Sequence, residues 1–218
     1  MPLPMVLLLL KALYQTTLMV LVSGAVGFLL GLPLGVLLFL TRPGQIQGRP
    51  TFHRALGLIV NAGRSVPFIM LMVALIPLTR LLVGTSIGTA AAIVPLSLGA
   101  TPFIARLVEG ALLEVPTGLV EAARAMGARP GQIVFKVLLP EALPGILNAA
   151  TITLVTLVSY SAMAGAVGGG GLGDLGIRYG YQRFDTTVMI AVVVILILLV
   201  QIIQFLGEWL SRRFNHRA

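Results

Sequence analysis

The sequence predicts an all-α, polytopic membrane protein, and three observations carry that expectation. Of its 218 residues, 57% are hydrophobic, and the mean hydropathy is +1.02. Only 10% are charged, against about 25% in an ordinary soluble domain. The apolar residues also gather in runs long enough to cross the hydrocarbon core, which takes about 20 residues of helix.

Five runs reach that length: roughly Thr17 to Leu40, Leu56 to Leu78, Ile87 to Val108, Ala142 to Val167 and Thr187 to Leu206. The first carries Ser23, Gly27, Gly31 and Gly35 four residues apart. Such a small-residue stripe lets a neighbouring helix approach closely, and plain packing accounts for it. Pro67, Pro95 and Pro102 fall inside the second and third runs. Each removes a backbone donor and favours a kink, which membrane helices tolerate when neighbours satisfy the freed carbonyls. The opening stretch, MPLPMVLLLLKALYQTT, lacks the form of a signal peptide. Its apolar run precedes Lys11, and no small-residue cleavage site follows. The chain therefore reads as one transmembrane domain over residues 1–218, with a core of about 13–207 and a basic tail at 208–218.

The formal net charge is +8. The basic residues lie mostly between the apolar runs, as the positive-inside bias requires. With the N-terminus outside, the inner segments hold Arg42, Arg49, Arg54, Arg106, Arg124, Arg129, Lys136, Arg212, Arg213 and Arg217. The outer segments hold Lys11, Arg80, Arg178 and Arg183, and Arg64 falls near the inner end of the second run. Ten against four predicts N-out and C-in, in a cytoplasmic membrane. Basic residues interleaved with aromatics, the mark of nucleic-acid binding, are missing, so no nucleic-acid partner is expected.

Catalytic signals are thin. There is no cysteine, and His53 and His216 stand alone, so neither a disulfide framework nor a metal site is expected. Gly171-Leu-Gly173-Asp-Leu-Gly176 matches G-x-G-x-x-G. That pattern marks a nucleotide site only between a strand and a helix, and here it separates two apolar runs. Its glycines are expected to serve tight turns and close helix approach. The run centres carry essentially no charge; Arg64, Arg106 and Glu109 sit near the inner ends. A transporter driven by an ion gradient would need an intramembrane carboxylate or a broken-helix ion site, so that class is disfavoured.

The segment 116–140, PTGLVEAARAMGARPGQIVFKVLLP, is the most informative loop. Leu119, Ala122, Ala123 and Met126 repeat at i, i+3, i+4 and i+7, one face of a helix. Thr117 or Gly118 could cap its start, with Glu121 in the first turn and Gly127 as an αL stop. Pro130 can open a second helix, and Pro140 would end or kink it. On pattern alone the small-residue face could receive a partner surface or pack beneath the bundle.

Glu121-Ala122-Ala123, Gly127 and Leu139-Pro140 resemble the EAA signature of ABC-importer permeases, with Val137 where isoleucine is usual. Arg64-Ser-Val-Pro67 resembles a recurring element of amino-acid importer permeases. TRPGQ (Thr41 to Gln45), VGTSIG (Val83 to Gly88), PFIARLVEGALLEVPTGL (Pro102 to Leu119) and VSYSAMAGAVGGGGLGDLG (Val158 to Gly176) resemble methionine ABC-importer permeases. The resemblance spans about residues 13–207.

It implies a type I ABC importer permease fold and methionine import across the cytoplasmic membrane by alternating access. It further implies a homodimer of five-helix subunits, two cytoplasmic ATPase subunits holding the ATP and Mg, and an external methionine-binding protein. This chain itself would bind no cofactor and catalyse no reaction. Leu119, Glu121, Ala122, Ala123, Met126 and Gly127 would form the ATPase-coupling helix. Tyr160, Ser161 and Met163, just before the glycine stretch, are candidates for the path or its gate. The alternatives are another amino acid or small peptide as cargo, an ion-coupled secondary transporter, and a scaffold without transport.

Overall fold

A computed structural model describes residues 3–214; the sites named above at His216 and Arg217 lie outside them. The described residues are helical, with no strand among them. Four helices are long and apolar enough to cross a membrane. They are α1 (Leu3–Thr41), α5 (Thr89–Leu113), α9 (Leu143–Ala166) and α11 (Thr186–Phe214). A further apolar stretch of that length is divided between α2 (Pro50–Ser65) and α3 (Phe68–Ala74), which are bent by 99° at the break between them.

Three of the expected runs map onto α5, α9 and α11 with small shifts. The first begins earlier than expected, at Leu3 rather than Thr17. Nothing between Met5 and Gln15 stops a helix, and a lone exposed Lys11 is compatible with one. At its other end α11 continues to Phe214, so the first part of the expected tail is helical.

The second run departs most from a straight span. Pro67 offers no N–H, and its ring drives Val66 out of the helical region; Val66 has φ −79°, ψ 125°. The chain therefore turns sharply there. A second, smaller interruption at Leu75 (φ −87°, ψ 1°) precedes α4 (Ile76–Val83), which ends on Gly84 at φ 82°. Pro95 and Pro102, by contrast, interrupt nothing: α5 is continuous through both.

The centre of the bundle is the seam between α1 and α5, which run in the same direction. The Gly27, Gly31 and Gly35 face of α1 lies directly on α5. A Cβ at Gly31 would stand 2.8 Å from the Thr101 carbonyl oxygen, and one at Gly35 2.6 Å from that of Ala105. Only a residue without a side chain permits that approach. Ser23 adds a hydrogen bond from its hydroxyl to the Ile93 carbonyl, at 3.4 Å. Met19, Leu96, Ile104, Val108, Leu112, Leu138 and Leu157 fill the interior around this seam. Here α9 runs antiparallel: Leu154 and Leu157 meet Gly24 of α1. On its far side, Gly207 of α11 lies against Thr151.

The glycine stretch makes the turns expected of it. Gly168, Gly170 and Gly171 have φ of 88°, 78° and 78°, a region costly for residues with a side chain. After them α10 (Gly171–Leu175) folds back into the bundle and passes into a π-turn at Gly176–Tyr181. Gly173 rests on the backbone of Ala162, and Gly165 on that of Asp174. The first N–H groups of α10 are satisfied from α1: Gly171 donates to Gln15 Oε1 at 3.0 Å and Leu172 to Thr16 Oγ1 at 2.9 Å. With no βαβ unit among the described residues, this G-x-G-x-x-G is a packing element.

If the seam sets the fold, Gly35→Leu will force α1 from α5 and lower detergent-solubilised stability by the ~1–3 kcal/mol of an overpacked core. Gly110→Leu on α5, where a Cβ meets nothing within 4 Å, will leave the stability of the isolated subunit unchanged. Equal melting temperatures for the two variants would refute this assignment.

Candidate functional site

Segment 116–140 forms a layer at one end of the bundle. Within it α6 (Thr117–Ala125) starts on Pro116 and has no side-chain cap. The expected cap from Thr117 or Gly118 is therefore not made. Glu121 falls beyond the first turn, because Thr117 is already the first helical residue. The C-terminus follows the Schellman pattern: Gly127 has φ 77°, its N–H reaches Arg124 O at 2.9 Å, and Ala128 N–H reaches Ala123 O at 3.0 Å.

Pro130 opens α7 (Pro130–Ile133), where Arg129 N–H donates to Gln132 Oε1 at 2.8 Å. A π-turn at Val134–Leu138 follows, then α8 (Leu139–Glu141). Helical backbone runs through Pro140 as far as Glu141. The wider turn, with Leu139 N–H bonding Val134 O, takes up the irregularity, and the break falls at Ala142, just before α9.

The face predicted for α6 divides in two. Leu119 is 42% exposed and Met126 81%, and Glu121, Ala122 and Arg124 are exposed beside them. Ala123 is not: at 4% exposure it packs with Ile133 and Val134 beneath the helix. One turn of helix thus offers a small residue to each side, Ala122 outward and Ala123 inward.

A second constellation surrounds the break after α2. Phe68 and the Tyr160 ring of α9 stack face to face, with centroids 4.5 Å apart and planes 2° from parallel. Arg64, Phe68, Gly99, Phe103 and Tyr160 line a cleft of about 210 Å³. Along α2, Arg106 of α5 donates to Gly57 O and Asn61 Oδ1, both at 3.1 Å, and pairs with the buried Glu109 at 2.6 Å. This network pins α2 to α5 on the side of the break nearer α6.

Of the three path candidates, Tyr160 lines this cleft. Ser161 is buried and donates to Val158 O at 2.7 Å, which ties its hydroxyl to its own helix. Met163 is 48% exposed on the last turns of α9. The structure therefore does not gather them in one cavity. A separate hollow of about 180 Å³ lies between the α3–α4 region, α5 and the end of α9, lined by Met72, Ile76, Ile87, Ala92, Pro95 and Ala164. Sequence reasoning missed Phe68, Asn61 and the capping pair Gln15 and Thr16. Pro67 was the available signal for the first two; no local pattern announces the last.

Long apolar helices and a bent pair around a cleft, with an exposed short helix at one end, define a helical, polytopic membrane protein. The chain belongs to the family described as "Binding-protein-dependent transport system inner membrane component", whose model matches residues 27–216. It is 66% identical, over 96% of its length and 93% of the relative's, to the "Probable D-methionine transport system permease protein MetI" of Vibrio cholerae. Against the "D-methionine transport system permease protein MetI" of Escherichia coli K12 it is 64% identical, over 74% of this chain and 75% of that protein. A solved chain described as "Inward facing conformations of the MetNI methionine ABC transporter: CY5 SeMet soak crystal form" superposes with a TM-score of 0.98. That chain is 60% identical, with 99% of this chain and all of the other covered. At 19% identity, "Crystal structure of an amino acid ABC transporter with histidines" shares the fold, with a TM-score of 0.75 over 94% of each chain.

The Phe68–Tyr160 stack joins two helices across the cleft, so its parts will be coupled. In reversible unfolding by SDS, Phe68→Leu, Tyr160→Leu and the double variant will give a coupling energy of about 1 kcal/mol, as stacked aromatic pairs do. Strict additivity would mean that the ring geometry contributes nothing.

Proposed function

We propose that this chain is the membrane-spanning permease subunit of an ATP-driven importer that carries methionine across the cytoplasmic membrane. The observation that carries the reading is the near-complete superposition on a chain of a methionine ABC transporter at 60% identity. In this reading two copies of the chain pair, two cytoplasmic ATPase subunits dock beneath them, and an external binding protein delivers the substrate. ATP and Mg are held by the ATPase, and the chain itself hydrolyses nothing. The test is uptake by the reconstituted assembly in liposomes. Methionine accumulation that requires internal ATP and ignores collapsed ion gradients supports the reading; accumulation driven by a gradient alone refutes it. Retention of another amino acid or a small peptide by the binding protein would change the cargo and keep the machinery.

The ATPase seat is assigned to the outer side of α6: Leu119, Glu121, Ala122 and Met126, with Gly127 fixing the helix end. Exposed apolar side chains on a helix that needs no further partner within the chain support that seat. Methionine is suited to it because its unbranched thioether adapts to a partner's shape. Ala123 contributes from beneath, by seating α6 on the bundle. Alternating access then follows from a bundle that switches as a unit when the two seats change separation. At the far end, the exposed thioether of Met163 is assigned to a gate that closes against its symmetry mate.

Three substitutions separate the outer side, the inner side and the end of α6. Ala122→Trp will leave the amount of folded permease unchanged and reduce co-purification of the ATPase at least fivefold. Ala123→Trp will lower the folded permease itself, because the ring has no space beneath α6. Gly127→Val places a β-branched residue in the αL region, costing more than ~1 kcal/mol, and will weaken both ATPase capture and uptake. Normal capture by Ala122→Trp would remove α6 from the interface. For orientation, a reporter active only in the cytoplasm will be active when fused after Arg217 and silent near Arg178; the reverse pattern would overturn N-out, C-in.

A further inference from the structure

Arg64, in the last turn of α2, stands beside the middle of α5. Its guanidinium carbon lies 5.9 Å from the centroid of the Phe103 ring. Phe103 stands fourteen residues after Thr89 and ten before Leu113 on the continuous helix α5. At 1.5 Å per residue, that is about 15 Å of helix from the nearer end. Gly63, the residue before it, lies against Pro102, which sets α2 against the same level of α5.

The other arginine at this level is neutralised: Arg106 pairs with Glu109 and bonds two acceptors on α2. For Arg64, no carboxylate among the described residues comes within ion-pair distance. Its recorded contact is the face of Phe103. It occupies the last turn of α2, where a cation suits the helix dipole, yet it is exposed to the cleft rather than folded onto the helix end. An arginine set among apolar helices is costly and ordinarily has a partner. The cleft it faces holds three aromatic rings, Phe68, Phe103 and Tyr160, and two glycines that leave room, Gly63 and Gly99.

We propose that Arg64 is the transient partner of the substrate's α-carboxylate as an amino acid passes this cleft. The planar guanidinium offers paired N–H donors to a carboxylate, and sulfur makes favourable contacts at aromatic ring edges. A zwitterionic amino acid with a thioether side chain matches both halves of the cleft. The site lies beside the helix break after Ser65, so bending at Val66–Pro67 moves the cation relative to the rings. This inference rests on the import reading given above.

The test uses the whole assembly in liposomes, with the binding protein loaded with methionine. Uptake and ATP hydrolysis are measured together for the natural chain, Arg64→Gln and Arg64→Lys. The natural chain judges the import reading by itself: if it takes up no methionine, that reading fails whatever the variants do. Given uptake, Arg64→Gln will lower methionine transported per ATP about tenfold, the scale of one hydrogen bond to a charged group. ATPase stimulation by the loaded binding protein will stay within twofold, and Arg64→Lys will recover part of the loss. Unchanged transport per ATP in Arg64→Gln would overturn the proposal. So would a parallel fall of uptake, ATPase and complex yield, because that pattern belongs to a structural cation paired across the assembly.

Discussion

Everything in this fold depends on how closely the backbone of α1 can approach α5. In a bilayer there is no hydrophobic gain from bringing two apolar helices together, so association rests on dispersion and close fit. Gly27, Gly31 and Gly35 supply that fit by removing side chains along one stripe. Leu96, Ile104, Val108 and Leu112 then have a surface to fill against, and α9 closes the third side through Leu154 and Leu157. The result is a densely packed block of three helices. Such a block has few ways to deform gradually, so it is suited to moving as one piece.

Against that block the irregular elements are arranged at its edges. The break at Val66–Pro67 and the interruption at Leu75 divide one apolar stretch into short rods. The Arg106–Glu109–Asn61 network fastens the rod before the break, while the Phe68–Tyr160 stack holds the rod after it. At one end α6 lies through Ala123 on α7 and the π-turn that follows it, and turns Ala122 and Met126 outward. On the proposed reading, a displacement applied to α6 is passed to the block through Ala123, Ile133 and Val134, and the cleft beside Arg64 opens or narrows at the break.

The sequence made much of this legible because membrane crossing is a constraint of length and composition. α5, α9 and α11 follow from their apolar runs, and the αL residue at Gly127 follows from the lack of a side chain. Other features were out of reach for identifiable reasons. Pro67 announced a disturbance, but its size depends on Val66 leaving the helical region and on the packing of Phe68. Ala123 could not be told from Ala122, since alanine suits a buried seat and an exposed one equally. The place of Arg64 beside Phe103, along the middle of α5, depends on the break after Ser65 and could not be counted along a straight span. The caps from Gln15 and Thr16 to α10 join residues 156 apart, a distance over which no local pattern speaks. The EAA spacing pointed to the segment that forms α6, and burial alone divided its face.

The central claim is that the α1–α5–α9 block is rigid and is driven through α6. The chain has no cysteine, so spin labels can be placed at single engineered positions without background. One pair of labels would report Met126 to Met126 across the two copies of the assembled complex. A second pair would report Leu29 on α1 to Leu98 on α5 within one copy, both exposed positions flanking the seam. The account predicts that binding of ATP shifts the first distance distribution while the second stays fixed. An unchanged Met126 distance, or an α1–α5 distance that moves as far as it does, would contradict it.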